Sequence, residues 1–485
     1  MYRFVSKYLF SILFLVFILS IFSNNIFNSL LLTTDLGRDL YNFLRITQGD
    51  FVLIGPKMNF GGYYAGPFYY YLFSPIMLLT NSSVQAVLYF QTFLFALSTA
   101  FFLYVVSQKY NHIKALLITL SISLVPFFLL SAKHPSNGYT YFPFLLFFST
   151  LVFFFEFKNK LSITLLGFLA GFIVNIHPAS IFPTVFISLY FLFFLKSKRL
   201  FLYFILGGLV TFLPLLLFEL RHDFVMTKDT FVNNSLNSYI NSSQKPQLLL
   251  DENPALSILF YLFDKFRQYL HINIIGFILF PFLIIIYQLK NKSVAAKDMS
   301  KDIYLLVTII LNLLLLFPLM LFHYENHYLY GIMFYIAIAS LLIILKSKFS
   351  YLLIIFVLVD LYFFPLNLYK DSDGLINKIE ASVKYVVENN LVTKGQPFNL
   401  IRIADVYAKV PTGFEYRFFF RKYGYIPESE YDYKNANTLL IFSETPFYDI
   451  DQFKMWATEE FGREYFVNKE QFNMSGITIY KITKK

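Results

Sequence analysis

The chain is dominated by apolar runs long enough to form helices in a lipid bilayer. Runs of about 18 or more mostly apolar residues are typical of transmembrane helices, and short polar connectors separate them here. The first run, from Tyr8 to about Leu32, follows Arg3 and Lys7 and lacks a small-residue cleavage site, so we predict a retained helix rather than a signal peptide. Ten further spans are predicted at 84–107, 115–131, 139–155, 161–176, 180–195, 200–218, 272–289, 303–322, 328–345 and 350–369.

Three other segments of the first 369 residues interrupt this pattern. Residues 33–67 form a predicted first outer loop, and residues 219–271 form a long outer loop with an amphipathic surface helix near 254–270. The apolar run from Phe68 to Leu79 is short, which favours a half-buried or re-entrant helix over a span. We therefore predict one membrane domain over residues 1–369.

The pattern changes at residue 370. Residues 370–485 carry 16 basic and 16 acidic residues, and short strand-like runs appear at 398–404, 438–443 and 475–482. Helices are predicted at 374–390 and 450–460. This part reads as a small soluble α/β domain.

Composition excludes an ordinary soluble protein, since 57% of the residues are hydrophobic and only 14% are charged. The net charge of +10 lies entirely in residues 1–369, with 24 Lys+Arg against 14 Asp+Glu, so it belongs to membrane loops and does not indicate a nucleic-acid partner. With no cysteine there is no disulfide, thiolate nucleophile or cysteine metal ligand. We predict no cofactor, and nothing indicates a divalent metal.

Loop charges predict the orientation. If the N-terminus is cytoplasmic, the loops on that side carry 15 basic and three acidic residues, whereas the opposite side carries nine basic and ten acidic residues. The chain is thus predicted to be a multi-pass protein of the plasma (cytoplasmic) membrane with residues 370–485 outside.

Chemically useful side chains then gather on the outer face. They are Asp35, Arg38 and Asp39, then His134 and Asn137, His177, Glu219, Arg221 and His222, and finally His323 and His327. The inner loops are short Lys/Ser/Asn connectors. This sidedness predicts a function at the outer membrane surface.

Each of these groups also has a structural explanation. Asp35 is compatible with a helix cap, and His134 and His177 precede prolines, as residues at helix ends often do. Glu219 and Arg221 are compatible with an interfacial ion pair. His323 and His327 have the spacing of two zinc ligands on a helix, but Glu325 lies off that face.

The order of the motifs resembles the polyprenol-dependent membrane glycosyltransferases of the GT-C class. These include protein O-mannosyltransferases and the aminoarabinose transferase of lipid A, and the likeness is closest to glycosyltransferase family 39. The resemblance rests on Asp35-x-x-Arg38, Gly49-Asp50-Phe51 and Gly66-Pro67-Phe68 with its tyrosines, followed by Phe218–His222 and His323-Tyr324.

The resemblance implies an α-helical polytopic membrane protein with about 11 transmembrane helices and a small C-terminal extracytoplasmic α/β domain. It also implies inverting transfer of a hexose or pentose from a polyprenyl-phosphate sugar to a lipid, glycan or protein acceptor at the membrane. Asp35 matches the general base. The implied substrate-binding residues are Arg38, Asp39, Lys57, Tyr63, Tyr64, His134, Asn137, His177, Glu219, Arg221, His222, His323, Tyr324 and His327.

The sequence departs from this family at two places. The Lys that precedes Pro67 in the family is absent, because Ala65-Gly66 stands there. The cation for the phosphate must then come from another residue, namely Lys57, Arg38, Arg221 or His222. The second outer loop has no obvious Asp, which leaves open a single-carboxylate mechanism or a contribution from Glu219.

Two other functions remain open. A transporter or lipid flippase would also need many spans, together with broken helices or polar residues near the midplane. A non-catalytic anchor for the outer domain would not need charged clusters in five separate loops.

Overall fold

The computed structural model describes residues 2–58, 62–232, 273–291, 296–322, 326–404, 412–445, 450 and 453–484. The helices up to residue 232 are α1 (Tyr2–Ser23), α2 (Thr34–Thr47), α3 (Phe68–Leu79), α4 (Val84–Lys109), α5 (His112–Ser123), α6 (Pro126–Lys133), α7 (Asn137–Phe154), α8 (Lys160–Ile176), α9 (Ile181–Phe194), α10 (Phe201–Val210), α11 (Leu213–Arg221) and the single turn α12 (Val225–Thr227).

The remaining elements run from residue 273 to residue 483. The helices are α13 (Asn273–Asn291), α14 (Ala296–Phe322), α15 (Asn326–Lys346), α16 (Leu353–Tyr362), α17 (Leu375–Glu388), α18 (Phe414–Lys422) and α19 (Trp456–Phe461). The strands are β1 (Phe398–Ile403), β2 (Thr438–Ser443), β3 (Lys469–Met474) and β4 (Ile477–Thr483). β1, β2 and β4 lie where strands are predicted from the sequence, and β3 was not predicted.

A helix or a bent pair of helices lies at each of the eleven predicted spans. Among the described residues, four helices are long and apolar enough to cross a membrane, and this number rises to six if each bent pair forms one span. Several others, such as α8 and α16, are apolar but shorter. The helical, apolar architecture is therefore present, and the number of eleven spans stays a prediction.

Two of the predicted spans are broken rather than straight. α5 and α6 meet at 69°, and the second pair, Lys198–Val210 with Leu213–Arg221, meets at 52°. Pro126 and Pro214 stand in the first two positions of α6 and α11. Proline has no N–H to donate to the preceding turn, so it fits the first turn of a helix without the loss of a hydrogen bond.

The predicted start of the chain also needs correction. α1 ends at Ser23 rather than near Leu32, and the predicted outer loop 33–67 contains the 14-residue helix α2. Thr33 caps α2, because its side-chain oxygen accepts the backbone N–H of Leu36 at 3.2 Å. The apolar residues Leu36, Leu40 and Phe43 recur at helical spacing and are buried. Asp35 thus lies in the first turn of a separate amphipathic helix.

The chain divides into two compact units. The first unit contains Met1–Ile26, Val52–Tyr69 and Leu88–Tyr369, and the second contains Phe27–Phe51, Tyr70–Val87 and Lys370–Lys485. One boundary between the units falls between Tyr369 and Lys370, and two early segments also belong to the second unit. In the first unit, α8 and α10 pack closely because Gly167 and Gly207 each lie against the opposite backbone, as small residues allow.

The second unit contains a four-stranded sheet with strand order β1-β2-β4-β3. β1 and β2 are parallel, and the other neighbours are antiparallel. One sheet face packs Ile401, Ile441 and Ile482 against Ala457 and Phe461 of α19. On the other face Phe442 stacks on Tyr416 of α18, with ring centroids 4.2 Å apart. α2 packs on α18, which explains why residues 27–51 belong to this unit.

Candidate functional site

Asp35, Arg38 and Asp39 form one cluster on α2, in the second unit. Residues three and four apart lie on one helix face, so the spacing brings the three side chains together. Arg38 donates from Nη1 to Asp35 Oδ1 at 2.8 Å, and from Nε and Nη2 to Asp39 Oδ1 at 3.0 and 2.9 Å. The Asp35 side chain is 73% exposed and the Asp39 side chain 0%. Asp35 is the carboxylate of this cluster that can meet a ligand.

The cluster carries one net negative charge. Burial by itself lowers the pKa of Arg38, but the attraction of Asp39, Tyr70 and Asp35 outweighs this and raises that pKa, so Arg38 stays charged. Its guanidinium is shared between two carboxylates. The expectation that Arg38 supplies the cation for a phosphate therefore fits the structure poorly, and Arg38 instead orients Asp35.

α2 is held by residues that the sequence did not single out. Gly37 lies against Glu415 of α18, and Arg421 Nε donates to Gln48 Oε1 at 2.5 Å. Glu415 is buried and ion-paired with Arg402. Burial raises the pKa of Glu415 and Arg402 opposes that rise. The charged positions inside the aromatic run Phe414–Lys422 are the sequence signal that would have found this support.

Arg402 completes the support of α18. It bonds both carboxylate oxygens of Glu444, from Nε at 2.8 Å and from Nη2 at 2.9 Å, while pairing with Glu415. Tyr416 donates its hydroxyl to Glu444 Oε1 at 3.0 Å. Bidentate arginine–carboxylate pairs fix geometry as well as charge, so this network holds α18 rigidly.

In the first unit, residues 55–58 and 62–66 form a short hairpin. Gly55 N–H donates to Ala65 O at 2.8 Å and Ala65 N–H to Pro56 O at 2.9 Å, which places Lys57 opposite Tyr64. Gly66 N–H donates to Asn175 O at 3.0 Å. A Cβ at residue 66 would overlap the Asn175 side chain, so this close approach requires glycine.

A cavity of about 540 Å³ lies beside this hairpin. Its charged and aromatic lining residues are Lys57, Tyr64, Phe218, His222, Asp223, Lys228 and Asp229. Lys57, Tyr64 and His222 were predicted as site residues, and the structure brings them together. Lys228 was not predicted; its position in the sequence, soon after His222, was the available signal.

The chain turns sharply at the wall of this cavity. Asp223 and Phe224 both adopt left-handed backbone conformations, with φ of 52° and 59°. Non-glycine residues rarely do so in succession, and such strain persists only where surrounding contacts impose it. His222 is oriented by Phe218, since Nδ1 lies 2.8 Å from its carbonyl oxygen and the two rings stack at 4.2 Å.

Glu219 and His177 hold local structure. The Glu219 carboxylate accepts the N–H groups of Met226 at 2.9 Å and Thr227 at 3.0 Å, and also the Thr227 hydroxyl, so it caps α12. Buried His177 accepts the N–H of Ala179 on Nδ1 at 3.1 Å and caps the 3₁₀ turn that follows. These bonds account for both residues without a substrate and argue against Glu219 as a second catalytic carboxylate.

The other predicted site residues that the structure describes do not line the 540 Å³ cavity. His134 is half-buried after α6, and burial, reinforced by Lys133, lowers its pKa to about 4, so it is neutral near pH 7. Asn137 is buried at the start of α7, and Arg221 is exposed at the end of α11. Tyr63 lines a second cavity of about 230 Å³ together with Glu219.

Some predicted features lie outside the described residues. They are His323 and Tyr324, the His327 side chain, and the loop from 233 to 271 with its predicted helix near 254–270. Within the described part of the chain, no group of three or more His, Asp or Glu side chains is placed to hold a metal ion.

No protein-family model and no curated protein sequence matches this chain. The solved structures that are similar to it include two of ArnT and one of an oligosaccharyltransferase. ArnT of Cupriavidus metallidurans in the apo state has 11% identity and a TM-score of 0.47, with 97% of each chain covered. The same enzyme bound to undecaprenyl phosphate has 10% identity and a TM-score of 0.44 over the same shares.

The third structure is the Archaeoglobus fulgidus oligosaccharyltransferase in complex with Zn and sulfate. It has 11% identity and a TM-score of 0.41, and the match covers 88% of this chain and 67% of that one. ArnT and the oligosaccharyltransferase are both GT-C glycosyltransferases, the class that the sequence motifs resemble. At these identities and TM-scores, the similarities assign neither a donor nor a catalytic residue to this chain.

Proposed function

We propose that this protein is an inverting membrane glycosyltransferase that uses a polyprenyl-phosphate sugar. The observation that carries the proposal is the position of Asp35, an exposed carboxylate in the first turn of α2. Arg38 holds it at 2.8 Å, and the buried carboxylate of Asp39 in turn anchors Arg38. A positioned carboxylate with access to solvent is what a general base for an acceptor hydroxyl requires.

In the proposed reaction, Asp35 removes the proton from the acceptor hydroxyl. The hydroxyl oxygen attacks the anomeric carbon of the sugar, and the bond from that carbon to the phosphate oxygen breaks. The electron pair leaves with the polyprenyl phosphate, and the configuration at the anomeric carbon inverts. The acceptor is a lipid, a glycan or a protein.

The departing phosphate needs cations. Lys57, His222 and Lys228 line the 540 Å³ cavity of the first unit and are the groups we assign to it. Asp223 and Asp229 in the same lining reduce the local positive charge. This partial neutralisation of the lysine charge suits a polyprenyl phosphate, because the phosphate must also leave after transfer.

We place the protein in the plasma membrane as a multi-pass enzyme. Its apolar helices support membrane insertion, and the bias of 15 basic to three acidic loop residues supports a cytoplasmic N-terminus with residues 370–485 outside. The division into a membrane domain and an extracytoplasmic α/β domain, and the eleven spans, belong to this proposal.

The decisive experiment is a transfer assay on purified protein in nanodiscs with a panel of polyprenyl-phosphate hexoses and pentoses. Wild-type protein should release polyprenyl phosphate with at least one donor. Asp35→Asn should lower kcat by about 10²–10⁴-fold, the usual contribution of a general base. Expression and melting temperature should change little, because Asp35 is exposed.

Glu388→Gln is the matched control, because Glu388 is 62% exposed and paired with Lys384 one helical turn away at 3.6 Å. It should keep wild-type turnover. If folded Asp35→Asn retains more than about a tenth of that turnover, above the range for a lost base, Asp35 is not the base.

A transporter or flippase is the second candidate, favoured by the two broken helix pairs. Proteoliposomes loaded with a fluorescent polyprenyl-phosphate sugar separate the two functions. Translocation without release of polyprenyl phosphate would establish transport, and release that depends on Asp35 would establish transfer.

A further inference from the structure

Another cavity, of about 360 Å³, lies in the first unit where α4, α7 and α9 end. Four lysines line it, namely Lys109, Lys158, Lys196 and Lys301, with Glu156 as the one carboxylate among the described lining residues. Among the described residues, it shares no lining residue with the cavity assigned to the donor phosphate.

The lysines of this cavity are only partly neutralised. Lys196 pairs with Glu156 at 2.9 Å, and Lys301 lies 4.0 Å from Asp298. Lys109 donates to the carbonyl of Phe154 at 2.7 Å. Within the part of the chain that the structure describes, Lys109 and Lys158 form no ion pair. The cavity therefore has an excess of positive charge.

The walls of the cavity are apolar and aromatic. Phe153, Phe157, Tyr190 and Phe191 contribute to the lining, together with Phe155, whose surface is 45% exposed. Phe193, in the last turn of α9, is 62% exposed. Both exposed rings are wholly apolar, so acyl chains have an apolar surface beside the lysines.

We propose that this cavity binds a phosphate group, and that its source is the headgroup of an anionic membrane lipid. Basic pockets between apolar helices bind lipid headgroups because each Lys near the surface adds electrostatic attraction. The four lysines hold the phosphate, and the exposed aromatics accompany the acyl chains. The loop-charge bias predicts that this is the cytoplasmic face, so the site is a lipid site separate from the proposed chemistry.

Native mass spectrometry of delipidated protein tests this site. The protein is exchanged into nanodiscs of phosphatidylcholine with or without a minority of phosphatidylglycerol, and retained lipid is counted after release. Wild-type protein should retain phosphatidylglycerol in preference to phosphatidylcholine. Lys158→Gln/Lys196→Gln should weaken that retention about tenfold or more, as expected for two lost lysine contacts.

Arg199→Gln/Lys290→Gln is the matched control, since both residues are exposed, lie outside the cavity lining and sit in loops predicted to be on the same side. It should retain phosphatidylglycerol like wild type. If both double variants lose the same amount of retained phosphatidylglycerol, with melting temperatures unchanged, the retention depends on general surface charge. That result would overturn the site. Binding of inorganic phosphate without any preference for phosphatidylglycerol over phosphatidylcholine would overturn the lipid source.

Discussion

At the residue scale, burial separates two carboxylates that sequence spacing treats alike. Asp35 and Asp39 share Arg38, but Asp35 is largely exposed and Asp39 fully buried. Removing one partner of a buried ion pair costs about 3–5 kcal/mol, so Asp39→Asn should damage the fold. A loss of activity in Asp39→Asn would therefore not separate lost catalysis from lost stability, whereas Asp35 is exposed enough to allow that separation.

The same reasoning ranks the candidate phosphate cations. Lys57 lines the 540 Å³ cavity, whereas Arg221 does not. Lys57→Ala should raise the KM for a polyprenyl-phosphate sugar about tenfold or more, since a hydrogen bond to a charged group contributes about 1.5–3 kcal/mol. Steady-state kinetics over a range of donor concentrations measures this change.

The control for Lys57 is Lys160→Ala, which removes one exposed lysine at the start of α8. Its donor KM should be that of wild type. An unchanged KM in Lys57→Ala would place the phosphate elsewhere, and a larger effect of Arg221→Ala would point to the end of α11.

At the scale of elements, α2 is the part of the chain that positions the candidate base. Its apolar side is buried, and Gly37 faces Glu415 of α18. A Cβ at residue 37 would lie 2.6 Å from Glu415 Cγ and 2.8 Å from its backbone nitrogen. The backbone atom cannot move aside as a flexible side chain would, so α2 itself must shift.

Gly37→Ala should therefore lower the melting temperature and the turnover together. Overpacking costs about 1–3 kcal/mol, which exceeds the gain of up to about 1 kcal/mol from replacing a helical glycine by alanine. Thermal unfolding and the transfer assay measure the two effects on the same preparation.

Gly208→Ala is the matched control, because a Cβ there meets only Gly167 O at an ordinary 3.4 Å. It should melt at or above the wild-type temperature. A Gly37→Ala protein that melts as high as wild type, with full turnover, would show that the contact with Glu415 does not hold α2.

At the scale of the whole molecule, the asymmetry of loop charge predicts the orientation of the chain in the membrane. The second helix of each bent pair has a proline in its first two positions. Loops with 15 basic and three acidic residues alternate with loops in which acids slightly outnumber bases. Pro126 and Pro214 mark the two bent pairs. Orientation is a property of the chain and the bilayer together, so it is tested in cells.

Reporter fusions after Lys198 and Lys290 should report the cytoplasm, and fusions after His222 and Lys370 should report the outside. The physical reason is that basic loops remain on the cytoplasmic side during insertion. Labelling of a cysteine introduced at Lys290 by a membrane-impermeant reagent in intact cells would reverse the orientation and exclude an outer-face reaction.

The sequence by itself determined the features that depend on neighbouring residues. Apolar runs located the helices, and charge counts predicted the inner loops. Asp35, Arg38 and Asp39 were predicted to lie together, but in an outer loop and not on a helix. These are local properties, because helical periodicity and i,i+3 contacts act over a few residues. The two helix breaks were not predicted, and proline alone does not identify them, because Pro75, Pro143 and Pro281 lie inside continuous helices.

Only the tertiary structure decided which polar groups are available. Glu219 and His177 accept hydrogen bonds from backbone amides, and Asp39 is buried. Lys57 lines the same cavity as His222 and Lys228, although more than 160 residues of sequence separate it from them. Gly37 meets Glu415, and Gly66 meets Asn175. Burial and long-range contacts depend on how distant segments pack, and a pattern of residue types does not encode that packing locally.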